Sequence, residues 1–109
     1  MEGSSARKYP RTELDRPVEI RIGKETIRTE TCANNVSVGG VFVRRGDLPV
    51  GSPVHIRIPV NHHMFDADGF VDSASQAGTG IEFSKLSEEE LENLYELIED
   101  LTVRGLAAA

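Results

Sequence analysis

Two short stretches carry residues suited to gripping a small anion or a base. The first, RKYPR, places Arg7 and Arg11 four residues apart around Tyr9 and Pro10. A guanidinium is planar and forked. It can hold a phosphate, or the O6/N7 edge of guanine, through two parallel hydrogen bonds, which lysine cannot do in the same way. On a helix the two arginines would share a face. Pro10 discourages helix at Tyr9, so an extended or turned segment is expected. The second stretch, NNVSVGG at positions 34–40, offers Asn35, Ser37, Gly39 and Gly40. The Asn amide and the Ser hydroxyl can each donate and accept. Gly40 can adopt positive φ and turn backbone amides toward a ligand. Each stretch also has a plain reading, as solvated arginines on a mobile tail and as a locally determined Asn/Ser/Gly turn.

The distribution of charge bears on which ligands are admissible. The chain has 109 residues and a net charge of −6. Residues 1–28 are net +2, whereas residues 82–104 are net −6. The acidic total argues against general nucleic-acid binding, which relies on neutralising phosphates. A small anion at the basic N-terminal end feels mainly local charge and remains admissible. A single-stranded nucleic-acid barrel is disfavoured further by the few aromatic residues, four Phe and two Tyr, because such proteins need stacking platforms and a basic groove. Cys32 is the only cysteine, so no intrachain disulfide can form, and a reducing cytoplasm is the simplest compartment. No stretch approaches the roughly 18–20 apolar residues that would cross a bilayer, so membrane insertion is not expected.

The elements that must position these residues are mostly strands. One domain is expected over residues 7–106, preceded by a small, polar, mobile tail at 1–6, and the initial Met1 fits a complete short protein. Val18, Ile20 and Ile22 alternate with Glu19 and Arg21, the period of a half-buried strand. Gly23-Lys24 reads as a tight turn into a second strand near Glu25–Ala33. The stretch at 34–40 interrupts, and Val41–Val43 opens a third strand. Val54, Ile56, Ile58 and Val60 give the clearest alternation, with Pro59 marking an edge or exit. NHHMFDADG reads as a connection, Phe70-Val71 as the start of a further strand, QAGTG as a turn, and Ile81 and Phe83 as the end of a last short strand. Short strands at this spacing predict a small antiparallel barrel or sandwich. At the C-terminus the period changes. Ser87 and Glu90 form an S-x-x-E capping box. Leu91, Leu94, Tyr95, Leu97, Ile98 and Leu101 form an apolar stripe, and Gly105 offers a stop. One amphipathic helix is expected to pack on the barrel.

Taken together, R-x-x-x-R followed by [D/N]-x-S-x-x-G resembles the PilZ domain family. Here the pattern is Arg7-Lys-Tyr-Pro-Arg11 and Asn35-Val-Ser37-Val-Gly-Gly40, and the likeness continues through GGVFVR, LPVGSPVHIRIPV, GTGIEF and the terminal helix. The resemblance implies a mainly β fold: a six-stranded antiparallel barrel with one C-terminal amphipathic helix. It implies a non-catalytic receptor for the bacterial second messenger cyclic di-GMP, with no cofactor and a downstream protein partner. Arg7 and Arg11 would grip phosphates and guanine Hoogsteen edges, while Asn35, Ser37, Gly39 and Gly40 would hold the other guanine face. Position 35 more commonly carries Asp in the family. An amide has one acceptor where a carboxylate has two, and it loses charge assistance, so weaker binding is implied. Ala6 stands where many members carry a further Arg, which leaves the stoichiometry open. The alternative is a PilZ-like adaptor that binds protein and not nucleotide, in pilus assembly or motility.

Other constellations are weaker. His62-His63 with Asp66 and Asp68 would need ligands from opposite faces of a strand to hold a metal. Asp66-Ala-Asp68-Gly69 lacks the full calcium-loop series and its terminal Glu. Ser37 has no nearby histidine and no nucleophile elbow, so no catalytic residue is assigned.

Overall fold

The computed structural model describes residues 12–14, 16–29, 35–45 and 48–108, with side chains through Val103. The expected tail at 1–6, both motif arginines and Cys32 lie outside the described residues. Eight strands and one helix follow in chain order: β1 (Thr12–Glu13), β2 (Val18–Ile22), β3 (Glu25–Thr29), β4 (Asn35–Val36), β5 (Gly40–Val43), β6 (Pro53–Val60), β7 (His63–Ser75), β8 (Gly78–Phe83) and α1 (Glu88–Ala108). Among the described residues the strand count is eight where six were expected. The difference lies mainly in β1 and β4, which are two residues long and too short to show any period.

All eight strands belong to one sheet, in the order β1-β4-β5-β8-β7-β6-β2-β3, and every pairing is antiparallel. That order forces the sheet to curl. β1 and β2 lie six places apart in it, about 29 Å if the sheet were flat. Yet Glu13 and Val18 are five residues apart in the chain, which span at most about 18 Å. The sheet therefore wraps into a half-barrel. Alternate residues point into a single core: Val18 and Ile20 of β2, Val41 and Val43 of β5, Ile56 and Ile58 of β6, and Phe65 and Val71 of β7 are all buried. Phe65 meets Phe83 edge to face, with centroids 5.4 Å apart, an arrangement worth about 0.5–1.5 kcal/mol beyond the area it buries.

The stretch expected as a connection is mostly strand. Only Asn61 and His62 turn the chain, with Asn61 at φ 49°, a left-handed conformation that Asn tolerates. β7 begins at His63, and its first part, His63–Phe70, pairs with the whole of β6. Asp, Ala and Gly are poor strand formers and hid the alternation. Across the pair, however, Arg57 Nε donates to Asp66 Oδ1 at 2.9 Å, and the His55 ring lies 2.9 Å from Asp68 and 3.0 Å from Asp66. These cross-strand partners supply what the propensities lack. Pro59 lies outside the β2–β6 pairing, so its missing N–H breaks no rung there. In QAGTG only Gln76 and Ala77 turn; the glycines are already in β8.

α1 starts at the expected capping box. The Ser87 N–H donates to Glu90 Oε1 at 2.7 Å, and the Glu90 N–H donates to Ser87 Oγ at 3.1 Å. Leu94, Leu97 and Leu101 are buried. Tyr95 departs from the expected stripe: it is 52% exposed, because it sits more than a right angle around the helix from the centre of those three leucines. The helix also runs through Gly105 to Ala108; a glycine inside a helix costs about 1 kcal/mol, and the alanines beyond it are the best helix formers. Polar ties fasten the helix to the sheet. Arg16, between β1 and β2, donates to Asp100 Oδ2 at 2.8 Å and to the Pro59 carbonyl at 2.9 Å. Asn61 donates to Glu96 at 2.7 Å.

Candidate functional site

Four of the expected site residues lie on one hairpin, β4–β5. Val36 and Val41 face each other and point into the core, fully buried. By alternation Asn35 and Phe42, the next pair, lie on the outer face, and both are half-buried. The turn between the strands is closed by two backbone bonds. Ser37 N–H donates to the Gly40 carbonyl at 2.8 Å, and Gly40 N–H donates back to the Ser37 carbonyl at 3.4 Å. The Ser37 hydroxyl accepts from Gly39 N–H at 3.3 Å and is only 7% exposed. Its side chain thus fixes the turn while its hydroxyl proton finds no acceptor among the described residues. The Gly39 carbonyl accepts from Phe83 N–H at 3.0 Å, tying the turn to β8.

Gly40 was expected to provide positive φ, and it does not. Among the described residues the glycines at positive φ are Gly23, Gly51 and Gly78. Gly40 is required for another reason: a Cβ there would drive into the Ile81 backbone carbonyl on β8. The last glycine of the motif therefore allows close strand approach, which holds the turn and Asn35 in register with the sheet.

Arg7 and Arg11 lie outside the described residues, so the residues next in the chain are the ones that relate them to the hairpin. β1 pairs with β4, Thr12 opposite Val36 and Glu13 opposite Asn35. The chain directly after Arg11 is thus zipped to the strand carrying Asn35. On the outer face this gives a cross-strand row, Glu13, Asn35, Phe42 and Gly80, with Ser73 next on β7 beyond a register shift. Sequence reasoning missed Phe42, Gly80 and Ser73. The alternation of GVFV marks Phe42 as outward-facing, but only the pairing places it beside Asn35.

A second polar group, His55 with Arg57, Asp66 and Asp68, lies on β6 and β7. The hydrogen bond with Asp68 raises the His55 pKa above its ordinary 6.5, Asp66 acts in the same direction, and partial burial opposes both. Among the described residues no cluster of His, Cys, Asp and Glu is arranged to hold a metal ion. Among them, too, no helix is long and apolar enough to cross a membrane.

Solved structures share this architecture. The PilZ domain of YcgR from Escherichia coli, determined with c-di-GMP, superposes with a TM-score of 0.71 at 17% identity, covering 91% of this chain and 93% of that one. The PilZ domain of CeSA from a cellulose-synthesizing bacterium gives 0.67 at 19% identity, over 85% and 98%. The Bacillus subtilis inhibitor of motility MotI/DgrA gives 0.70 at 21% identity; 93% of this chain is covered, but it spans only 52% of that protein. No curated protein sequence matches the chain. At these identities the superpositions establish the fold, and the sequence itself carries the rest: the PilZ domain profile matches residues 5–100, from before the first arginine into the last turns of α1, and the chain belongs to the PilZ domain family.

Proposed function

We propose that this chain is a non-catalytic, cytoplasmic receptor for cyclic di-GMP. The observation that carries the reading is the pairing of β1 with β4, which ties Thr12 and Glu13, directly after Arg11, to the strand bearing Asn35. Arg11 is one peptide step, about 3.8 Å, before Thr12, and Arg7 is within about 18 Å of chain. In the proposed complex both guanidinium groups reach the Ser37–Gly40 turn. In this reading Arg7 and Arg11 clamp phosphate and the Hoogsteen edge of one guanine. The Asn35 side-chain oxygen accepts from guanine N1–H or N2–H, and its NH2 faces O6. The Ser37 hydroxyl and the Gly39–Gly40 backbone complete the seat. Binding orders the arginine segment across the outer face of the half-barrel, and that ordered surface is what a downstream protein reads.

The test is isothermal titration with cyclic di-GMP, using GTP as the control. Saturable binding at micromolar or tighter concentration, absent with GTP, supports the receptor. No heat, together with unchanged NMR resonances at Ser37 and Gly40, sinks it. Asn35 in place of the commoner Asp favours the second reading, an adaptor that binds a protein without nucleotide; capture of the same partner with and without added cyclic di-GMP is its signature.

A further inference from the structure

The proposed seat has hydrogen-bonding groups for the edge of a base and no assigned group for its flat face. We propose that Phe42 is that group: it stacks on the guanine whose edge Asn35 holds. The inference rests on the cyclic di-GMP reading and adds to it a residue outside both sequence motifs.

Three observations support it. Phe42 is the direct cross-strand neighbour of Asn35, and on one face of an antiparallel pair such neighbours have Cβ atoms about 4.5–5.5 Å apart. A base held edge-on by the Asn35 amide and lying along the sheet therefore covers the next strand, where Phe42 stands. Second, Phe42 is half-buried on an outer face, between the buried Val41 and Val43. Third, the far side of Phe42 is cleared of bulk. Its partner on β8 is Gly80, and its ring edge lies over Gly78, where a Cβ would meet the Phe42 Cζ and Cε2 atoms. The result is a level strip with one aromatic ring in it. Beyond the strip, the irregular register of β7 brings Ser73 opposite Gly80, with its hydroxyl over that glycine.

The division of labour comes from the chemistry. Every base has a π-face, so stacking adds affinity without selecting among bases. Selection stays with the amide and the arginine forks. Removing the ring should therefore weaken guanine and non-guanine cyclic dinucleotides by similar factors, whereas changing Asn35 should alter their ratio.

The experiment has two arms. In the first, wild-type protein, Phe42→Leu and Phe42→Trp are titrated with cyclic di-GMP after their melting temperatures are compared. Leu is expected to weaken binding about tenfold, within the range for losing one base–aromatic stack, and Trp to retain it. In the second arm, wild-type protein with labelled Phe is examined by NMR. Guanine H8 should shift upfield and show cross-relaxation with the Phe42 ring, a signal that mere packing of Phe42 on Gly78 would not give. Full affinity in Phe42→Leu overturns the inference and leaves the receptor reading standing. Absence of any ring–H8 contact in a saturated wild-type complex overturns it even if the Leu variant folds poorly. Failure of the wild type to bind cyclic di-GMP at all overturns the receptor reading itself, and this inference with it.

Discussion

Arg16 offers the most direct test of how the sheet and the helix hold each other. Among the described residues its guanidinium makes two charge-assisted contacts, 2.8 Å to Asp100 on α1 and 2.9 Å to the Pro59 carbonyl at the end of β6. The ion pair is well sheltered, with side-chain exposures of 11% for Arg16 and 22% for Asp100. Hydrogen bonds to charged groups contribute about 1.5–3 kcal/mol each. Asp100→Asn keeps the shape and loses the charge, so its cost should be about 1.5 kcal/mol. Arg16→Met keeps the aliphatic stem and loses these contacts, at a cost of at least about 3 kcal/mol, twice the lower bound for one. For a domain slightly above 100 residues, each kcal/mol lowers Tm by about 4 °C. The expected drops are therefore about 6 °C for Asp100→Asn and at least about 12 °C for Arg16→Met. Urea denaturation of both single variants and the double variant gives the coupling energy, which should be about 1 kcal/mol or more for directly paired groups. An Arg16→Met variant melting within about 2 °C of wild type, or single effects that add to within about 0.3 kcal/mol, would refute the latch.

The same geometry supports other expectations. Arg7→Ala and Arg11→Ala should each weaken cyclic di-GMP binding by about 1.5–3 kcal/mol in calorimetry; full affinity in both removes the arginines from the site. Gly40→Ala should cost about 2–3 kcal/mol, because the obstacle is the Ile81 backbone carbonyl, which cannot swing away. Gly23→Ala, at φ +59° but in open space, should cost about 1–2 kcal/mol through backbone conformation alone, and denaturation curves showing Gly23 as the more sensitive site would contradict the packing argument. His55 has its folded pKa raised above the ordinary 6.5 by Asp68 and Asp66. Its contribution is therefore fully present below about pH 6.5 and is lost as the pH rises through the folded pKa. The Tm difference between wild type and His55→Gln should be larger at about pH 5.5 than at about pH 8.5; a gap that widens with pH is the contrary result.

Where an element carries its own period, the sequence shows it. β2 and β6 alternate cleanly, and the S-x-x-E box starts α1 at Glu88 through both of its reciprocal bonds. What stayed hidden depends on residues distant in the chain. β1 and β4 are strands only because each has a partner. The first half of β7 reads as a loop until Arg57 and His55 are placed opposite Asp66 and Asp68. The Asn35–Gly40 turn is legible locally, but the reason for Gly40 is not, since nothing in NNVSVGG points to Ile81. Tyr95 fits a helical period by count and falls outside the buried face because Leu94, Leu97 and Leu101 already fill it.

The curl of the sheet also sets an order in time. β1 and β2 are near neighbours in the chain yet lie at opposite ends of the run of strands from β4 to β6, so the two rungs that join β1 to β4 close the circuit of the sheet. A two-rung contact that closes so long a circuit forms late and opens early. Its amides should exchange with solvent well before those of β6 and β7. In the proposed receptor, the arrangement that receives cyclic di-GMP is then a fraction of the native population, and the apparent Kd is the intrinsic one divided by that fraction. On that reading, sensitivity to the ligand is tuned by residues that never touch it, through the strength of one short zipper at the rim of the half-barrel.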